Sequence, residues 1–209
     1  ALEEHGVGIY TGETVQRVLG NASGEATGVV TTERTLDADL VILSAGIKPN
    51  TAIAAAAGVE TDARGMILVD EYLRTNLPDI FAVGDCASVR HQMTDLDVYS
   101  PMGSTANKTG RLVVANLIEP RETFAGVLGT TIVRLFDVSA ARTGLSEEEA
   151  RAAGHDVETV LVPTPDRAHY YPGNKPIITK LIADRATHRI LGAQVFGEGV
   201  VDKPIDTLA

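Results

Sequence analysis

The stretch Thr75-Asn-Leu-Pro-Asp-Ile-Phe-Ala-Val-Gly-Asp-Cys-Ala87 constrains this chain more than any other. Asn76 to Asp79 carries turn residues, Ile80 to Val83 is a short apolar run suited to a buried strand, and the run stops at Gly84-Asp85. In an open α/β sheet, ligands settle just beyond the carboxyl ends of strands. A glycine there lets the backbone approach a ligand closely, and an aspartate beside it can accept hydrogen bonds from sugar-type hydroxyls.

The rest of the chain divides by pattern. Glu13 to Leu19 alternates, Gly20 to Gly24 supplies a turn and Thr27 to Thr32 returns, which predicts a hairpin. Leu40 to Ala45 is a continuous apolar run, expected as a strand buried on both faces and ending at Gly46. An Ala-rich helix is expected over Thr51 to Ala57, closed by Gly58. Ile67 to Asp70 and Ile80 to Val83 read as further short strands, and a helix should run from Ser104 or Thr105 to Leu117, stopping near Pro120.

Past Pro120 the character changes. Thr131 to Phe136 reads as a β-branched strand. Ser146-Glu-Glu-Glu149 is a capping box opening a helix that ends at Gly154. Val157 to Val162, Ile177 to Ala183 and Ile190 to Phe196 are strands, the last two a hairpin through Asp184 to Arg189. A strand, a helix and three strands make an α+β unit. Both ends look cut: Gly6-Val-Gly8 has neither the spacing nor the following helix of a dinucleotide fingerprint, and Asp202 to Ala209 stops inside a helical pattern.

Charge and cysteine content narrow the function classes. A formal charge of −10 argues against nucleic acid or an anionic membrane surface as partner. The longest apolar run, Ala52 to Val59, falls far short of the roughly 20 residues a membrane span needs. A single cysteine, Cys86, excludes an internal disulfide and suits a reducing cytoplasm. No zinc, Ser-His-Asp or phosphate-loop pattern is present, and no metal site is expected.

The Thr75–Asp85 stretch resembles the second flavin-binding motif (T-x-x-x-x-I-F-A-x-G-D) of the FAD-dependent pyridine nucleotide-disulfide oxidoreductases. The resemblance implies that Asp85, with Gly84, holds a ribityl hydroxyl of FAD. It extends to Ser100-Pro-Met-Gly-Ser-Thr-Ala-Asn-Lys-Thr-Gly-Arg111, which is similar to the helix start in CoA-disulfide reductases and NADH oxidases. There Gly103, Ser104, Thr105 and Ala106 would present N–H groups and the positive end of a helix to the flavin edge that becomes anionic on reduction. Ser44-Ala-Gly46 with Ile47-Lys-Pro-Asn50 is similar to the superfamily's glycine turn beside the nicotinamide, although the family more often has A-T-G or A-I-G. Gly46 and Ile47 would then face NAD(P)H.

His169-Tyr170-Tyr171-Pro172-Gly173 reads first as a turn with ordinary packing. Yet this segment, together with Ile177 to Asp206, looks like the dimerisation domain of CoA-disulfide reductases, in which one subunit's tyrosine reaches its partner's active site. Tyr170, with Tyr171 in reserve, would donate a hydrogen bond there. Cys86 reads as structural filling, since the family's redox cysteine lies in a segment nearer the amino terminus.

The fold so implied is α/β and α+β: residues 1–48 the end of an NAD(P)-binding domain, 49–121 the carboxyl-terminal part of a Rossmann-like FAD-binding domain, and 122–209 a dimerisation domain. The implied function is reduction of a small sulfur substrate, CoA disulfide or persulfide, by a cytoplasmic homodimer using FAD and NAD(P)H. By itself the chain is expected to bind FAD poorly and to lack turnover. A non-catalytic dimerisation module, an NADH oxidase or peroxidase, and a ferredoxin-type reductase remain the other readings.

Overall fold

In the computed structural model, which describes residues 2–209, the alternating Glu13–Thr32 segment forms the hairpin its pattern predicts. Strands β1 (Val15–Gly20) and β2 (Ala26–Thr31) pair antiparallel. Asn21 builds the turn: its Oδ1 accepts from the N–H groups of Ser23 and Glu25, both at 3.0 Å. A third strand, β3 (Thr35–Asp37), joins β2, and Arg34 ties the corner by pairing with Glu13 at 2.8 Å. These strands belong to a unit ending at Ile47; a second unit runs from Lys48 to Ala209.

Leu40 to Ala45 corrects the expectation of a doubly buried strand. The segment joins no ladder, and Leu40, Ile42 and Leu43 are 77–80% exposed. A central strand exists only through neighbours on both edges, and no described strand pairs with this run.

In the second unit, Thr51 anchors helix α1 (Ala52–Ala56) by donating from Oγ1 to the Gly65 carbonyl at 2.6 Å. Gly58 lies just past its end in the left-handed region at φ 90°, the expected stop. The two short strands expected at Ile67 to Asp70 and Ile80 to Val83 shrink to isolated bridges, Ile67 with Thr61 and with Ala87, and Phe81 with Arg74. The apolar content is still used: Val59, Ile67, Ala82 and Ala87 form a buried cluster that Cys86 packs against. Beyond it lie a two-stranded pair, β4 (Val89–Arg90) and β5 (Asp97–Val98), and helix α2 (Gly103–Asn116).

The carboxyl-terminal region is one antiparallel sheet of five strands. β6 (Thr131–Leu135), β7 (Val138–Gly144), β8 (Val157–Pro165), β9 (Pro176–Asp184) and β10 (Ile190–Gly197) lie in the order β6-β7-β10-β9-β8. Helix α3 (Glu147–Ala152) starts at the capping box, with both reciprocal bonds between Ser146 and Glu149 formed. Helix α4 (Asp202–Leu208) closes the chain. Side chains alternate across a strand, so the sheet has two cores. On one face Val201 and Ile205 pack on Ala141, Ile177, Ala193 and Val195; on the other Ala150 packs with Leu145, Val157, Ile182 and Leu191. Each fully buried Ile, Leu or Val contributes roughly 1.5–3 kcal/mol.

Strand β7 has no counterpart in the pattern reading. Val138-Ser-Ala-Ala-Arg-Thr-Gly144 lacks the bulky β-branched residues that signal a strand. Its small side chains suit the interior position between β6 and β10.

Two carboxylates hold the turns of this sheet. Asp184 Oδ1 accepts from the N–H groups of Ala186 and Thr187 and from Thr187 Oγ1, while His155 Nδ1 lies 3.1 Å from Oδ2. The Thr187 N–H, first among these, holds Asp184 down to about 2. Asp166 is likewise held at about 2, chiefly by the N–H of Lys175. Folded values below the ordinary carboxylate value mean that these groups stabilise the fold above about pH 4, and that the contribution is lost as pH falls toward about 2. Acid titration followed by circular dichroism should therefore place a loss of structure between about pH 4 and 2, with Asp184→Asn flattening it. A transition centred above about pH 5 would contradict this assignment.

Candidate functional site

Gly84 and Asp85 form a single 3-10 turn with Cys86, entered from extended Val83 (φ −144°, ψ 162°). Gly84 has φ 76°, a conformation any Cβ strains, although a Cβ built there would meet only the Ala106 methyl at an ordinary 3.7 Å. Conformation rather than space calls for glycine. Asp85 is exposed, and no hydrogen bond or ion pair engages its carboxylate among the described residues. It is therefore free to accept from a ligand.

The partner of this turn is helix α2. Thr109, 1% exposed, accepts a hydrogen bond from the Gly84 N–H at 3.3 Å and donates to the Thr105 carbonyl at 2.9 Å. One hydroxyl thus ties the Gly-Asp turn to the helix. Ser100 Oγ lies 3.2 Å from Thr105 Oγ1 and steadies the helix entry. No side chain caps α2 at Met102, and the first-turn bond is the Ala106 N–H to the Met102 carbonyl. The N–H groups of Gly103, Ser104 and Thr105 are left without protein partners among the described residues, at the end that carries partial positive charge. The structure thus brings together Gly84, Asp85 and the Gly103–Ala106 turn: an acceptor for hydroxyls beside a set of donors for an anionic edge.

Thr109 escapes a reading of the sequence. Its only signal is its position in the Ser/Thr-rich helix start, and its bond to Gly84 spans 25 residues. Thr109→Val keeps the shape but takes the acceptor from the half-buried Gly84 N–H, which costs about 0.5–1.5 kcal/mol. Urea denaturation should read that loss; a change below about 0.5 kcal/mol would mean the hydroxyl does not hold the turn.

The other expected site residues lie on other segments of the chain. Gly46 (φ 87°) and Ile47, 64% exposed, sit at the end of the first unit, on the segment that forms no strand. Tyr170 and Tyr171 stand on the loop between β8 and β9, 78% and 57% exposed. The His169 and Tyr170 rings meet edge to face at 5.8 Å. No hydrogen bond or ion pair among the described residues joins this loop to Gly84, Asp85 or the start of α2. Cys86 is half-buried, with Sγ 3.5 Å from the Val83 carbonyl, and serves packing. Among the described residues no cluster of His, Cys, Asp or Glu could hold a metal ion, and no helix is long and apolar enough to cross a membrane.

Comparison with known proteins fits this geometry. Residues 1–109 match the pyridine nucleotide-disulphide oxidoreductase family, and residues 130–209 match that family's dimerisation domain. The chain belongs to this family.

Its members are FAD-dependent and use NAD(P)H. Over its whole length the chain is 38% identical to the NAD(P)H sulfur oxidoreductase (CoA-dependent) of Pyrococcus abyssi and 32% identical to an NADH oxidase of Enterococcus faecalis, spanning 46% of each. The NAD-dependent persulfide reductase of A. fulgidus superposes with a TM-score of 0.92 at 40% identity, over 99% of this chain and 38% of that one. The chain thus spans less than half the length of these relatives.

Proposed function

We propose that this chain is the carboxyl-terminal part of a homodimeric flavoenzyme that uses NAD(P)H to reduce a small sulfur substrate, CoA disulfide or a persulfide, in the cytoplasm. Residues 1–48 would end the NAD(P)-binding domain, with Gly46 and Ile47 facing the nicotinamide. Residues 49–121 would complete the FAD-binding domain, and 122–209 would form the subunit interface. The observation that carries the reading is the exposed Asp85 carboxylate, without a partner among the described residues and tied through Gly84 and Thr109 to a helix start that no side chain caps.

These groups fit FAD chemically. Asp85 would accept from hydroxyls of the cofactor's sugar-alcohol arm, and the N–H groups of Gly103, Ser104 and Thr105, with Ala106 beside them, would favour negative charge at the ring edge. FAD, when bound, supplies the hydride relay from nicotinamide to sulfur; the protein groups orient it and set its electronics. The homodimer is supported by an apolar cross-strand row on the sheet, where Val133, Phe196 and Ile178 are each 47–49% exposed. Tyr170 would donate from its phenol to the sulfur leaving as thiolate in the partner's site, with Tyr171 as its neighbour in reserve.

Tyr170→Phe in the complete enzyme tests the sulfur assignment. Turnover of disulfide or persulfide should fall roughly a hundredfold, while reduction of the flavin by NADH keeps its rate. Unchanged sulfur turnover, with oxygen as the better acceptor, would instead favour the oxidase activity named for the Enterococcus relative.

A further inference from the structure

The neck of the loop that carries Tyr170 is closed by the β8–β9 pair Pro165–Pro176, by an exposed Lys175–Glu198 ion pair at 2.9 Å and by one buried carboxylate. Asp166 comes directly after β8, and its side chain is 1% exposed. Its N–H donates to the Lys175 carbonyl at 2.9 Å, and the Lys175 N–H returns a bond to Asp166 Oδ1 at 2.9 Å, so the two residues close the neck of the loop. Oδ2 accepts from the Val200 N–H at 3.1 Å and from Arg167 Nη2 at 3.1 Å. Val200 lies in the connection from β10 to α4, so the same carboxylate also fixes the neck against the sheet. That approach depends on glycine: a Cβ on Gly199 would stand 2.6 Å from Asp166 Cβ.

Beyond the neck the loop supports only itself. The Tyr171 N–H donates to the Ala168 carbonyl at 2.8 Å, and Asn174 Nδ2 donates to the carbonyls of His169 at 2.9 Å and Tyr171 at 3.2 Å. Among the described residues, every hydrogen bond and ion pair of residues 167–174 stays inside the loop or ends on Asp166. Closing a turn requires only the Asp166–Lys175 pair; the bond to Val200 adds a buried tie to the β10–α4 connection, beside the exposed ion pair of Lys175 with Glu198.

We infer that Asp166 is a positioning residue for the Tyr170 phenol, fixing through the Lys175 and Val200 N–H groups where the tyrosine loop stands on the interface sheet. This rests on the proposed role of Tyr170. Asp166 stays ionised well below neutrality, so the clamp keeps its full charge at any working pH. Asparagine in its place keeps one acceptor oxygen but turns the other into an N–H donor facing a backbone N–H, so one of the two tethers must open.

The test is a cycle in the complete flavoenzyme with Tyr170→Phe, Asp166→Asn and the double variant, using a CoA disulfide as probe. Asp166→Asn should lower kcat roughly 10- to 100-fold with KM little changed, because a displacement near 1 Å suffices for that loss. The flavin spectrum and the rate of flavin reduction by NADH should not move, and the double variant should be no slower than Tyr170→Phe alone. If the losses multiply in the double variant, Asp166 acts independently of the Tyr170 phenol and the inference is overturned. Silence of Asp166→Asn beside a slow Tyr170→Phe also overturns it, leaving the sulfur-reductase reading intact. If Tyr170→Phe is itself silent, that reading falls and this one with it. Should Asp166→Asn not accumulate as folded protein, Asp166→Ser, which keeps a hydroxyl acceptor on the same Cβ, replaces it in the cycle.

Discussion

Asp85→Ala in the complete flavoenzyme is expected to weaken flavin retention about a hundredfold, with the apoprotein's melting temperature unchanged. The two halves of this expectation come from one fact: the carboxylate is exposed and has no hydrogen bond or ion pair within the protein among the described residues. Removing it costs the fold nothing beyond a surface change, within about 0.5 kcal/mol. A bound sugar-alcohol arm would lose hydrogen bonds to a charged acceptor, each worth about 1.5–3 kcal/mol. Asp85→Asn, which keeps an oxygen acceptor without the charge, should fall between, near tenfold. Flavin release can be followed by its absorbance after dilution or by fluorescence. Retention equal to that of the unaltered protein would remove the central support for the flavin site, whatever the family match says.

Gly192→Ala is expected to cost about 3–5 kcal/mol, a large fraction of the stability of an ordinary domain. An added Cβ would stand 2.0 Å from the Leu145 carbonyl oxygen and 2.7 Å from its nitrogen. Those atoms cannot move alone, because the Leu145 N–H donates to the Leu191 carbonyl at 2.9 Å and Leu145 belongs to the buried cluster under α3. Gly144, on the facing strand, is as crowded: its Cβ would lie 2.3 Å from the Leu191 carbonyl oxygen, at φ 62°. Gly154 provides the contrast. It has φ 88° but nothing within 4 Å of an added Cβ, so Gly154→Ala should cost only about 1 kcal/mol from backbone strain. Urea unfolding of the three variants distinguishes crowding from strain. Equal losses at Gly154 and Gly192 would show that close approach of β7 and β10 is not the constraint.

The elements legible in the chain are those whose chemistry is local. Ser146 and Glu149 are three residues apart and cap one helix, and Asn21 folds the turn in which it sits. The Gly84-Asp85 turn and the start of α2 can each be found separately from a few consecutive residues. Strands are harder, because a strand is a relation between segments. Leu40 to Ala45 has the composition of a central strand and no partner among the described residues; β7 has partners on both sides and a composition of small residues. Thr109 lies within the Ser100–Arg111 stretch with nothing local to mark its role, and Asp166 carries no motif at all. Their roles come from bonds to Gly84 and Val200, 25 and 34 positions away.

Residue order alone settled which family this is, which turn bears the acidic acceptor, and where most helices and turns begin, since each depends on dihedral preference and hydrogen bonding within a few positions. Folding in three dimensions decided the rest: that a threonine hydroxyl joins the acceptor to the helix start, that a buried carboxylate anchors the tyrosine loop, and that two strands meet so closely that only glycine fits. Those outcomes depend on which distant groups arrive within about 3 Å of each other, and nothing in the neighbouring residues encodes that distance.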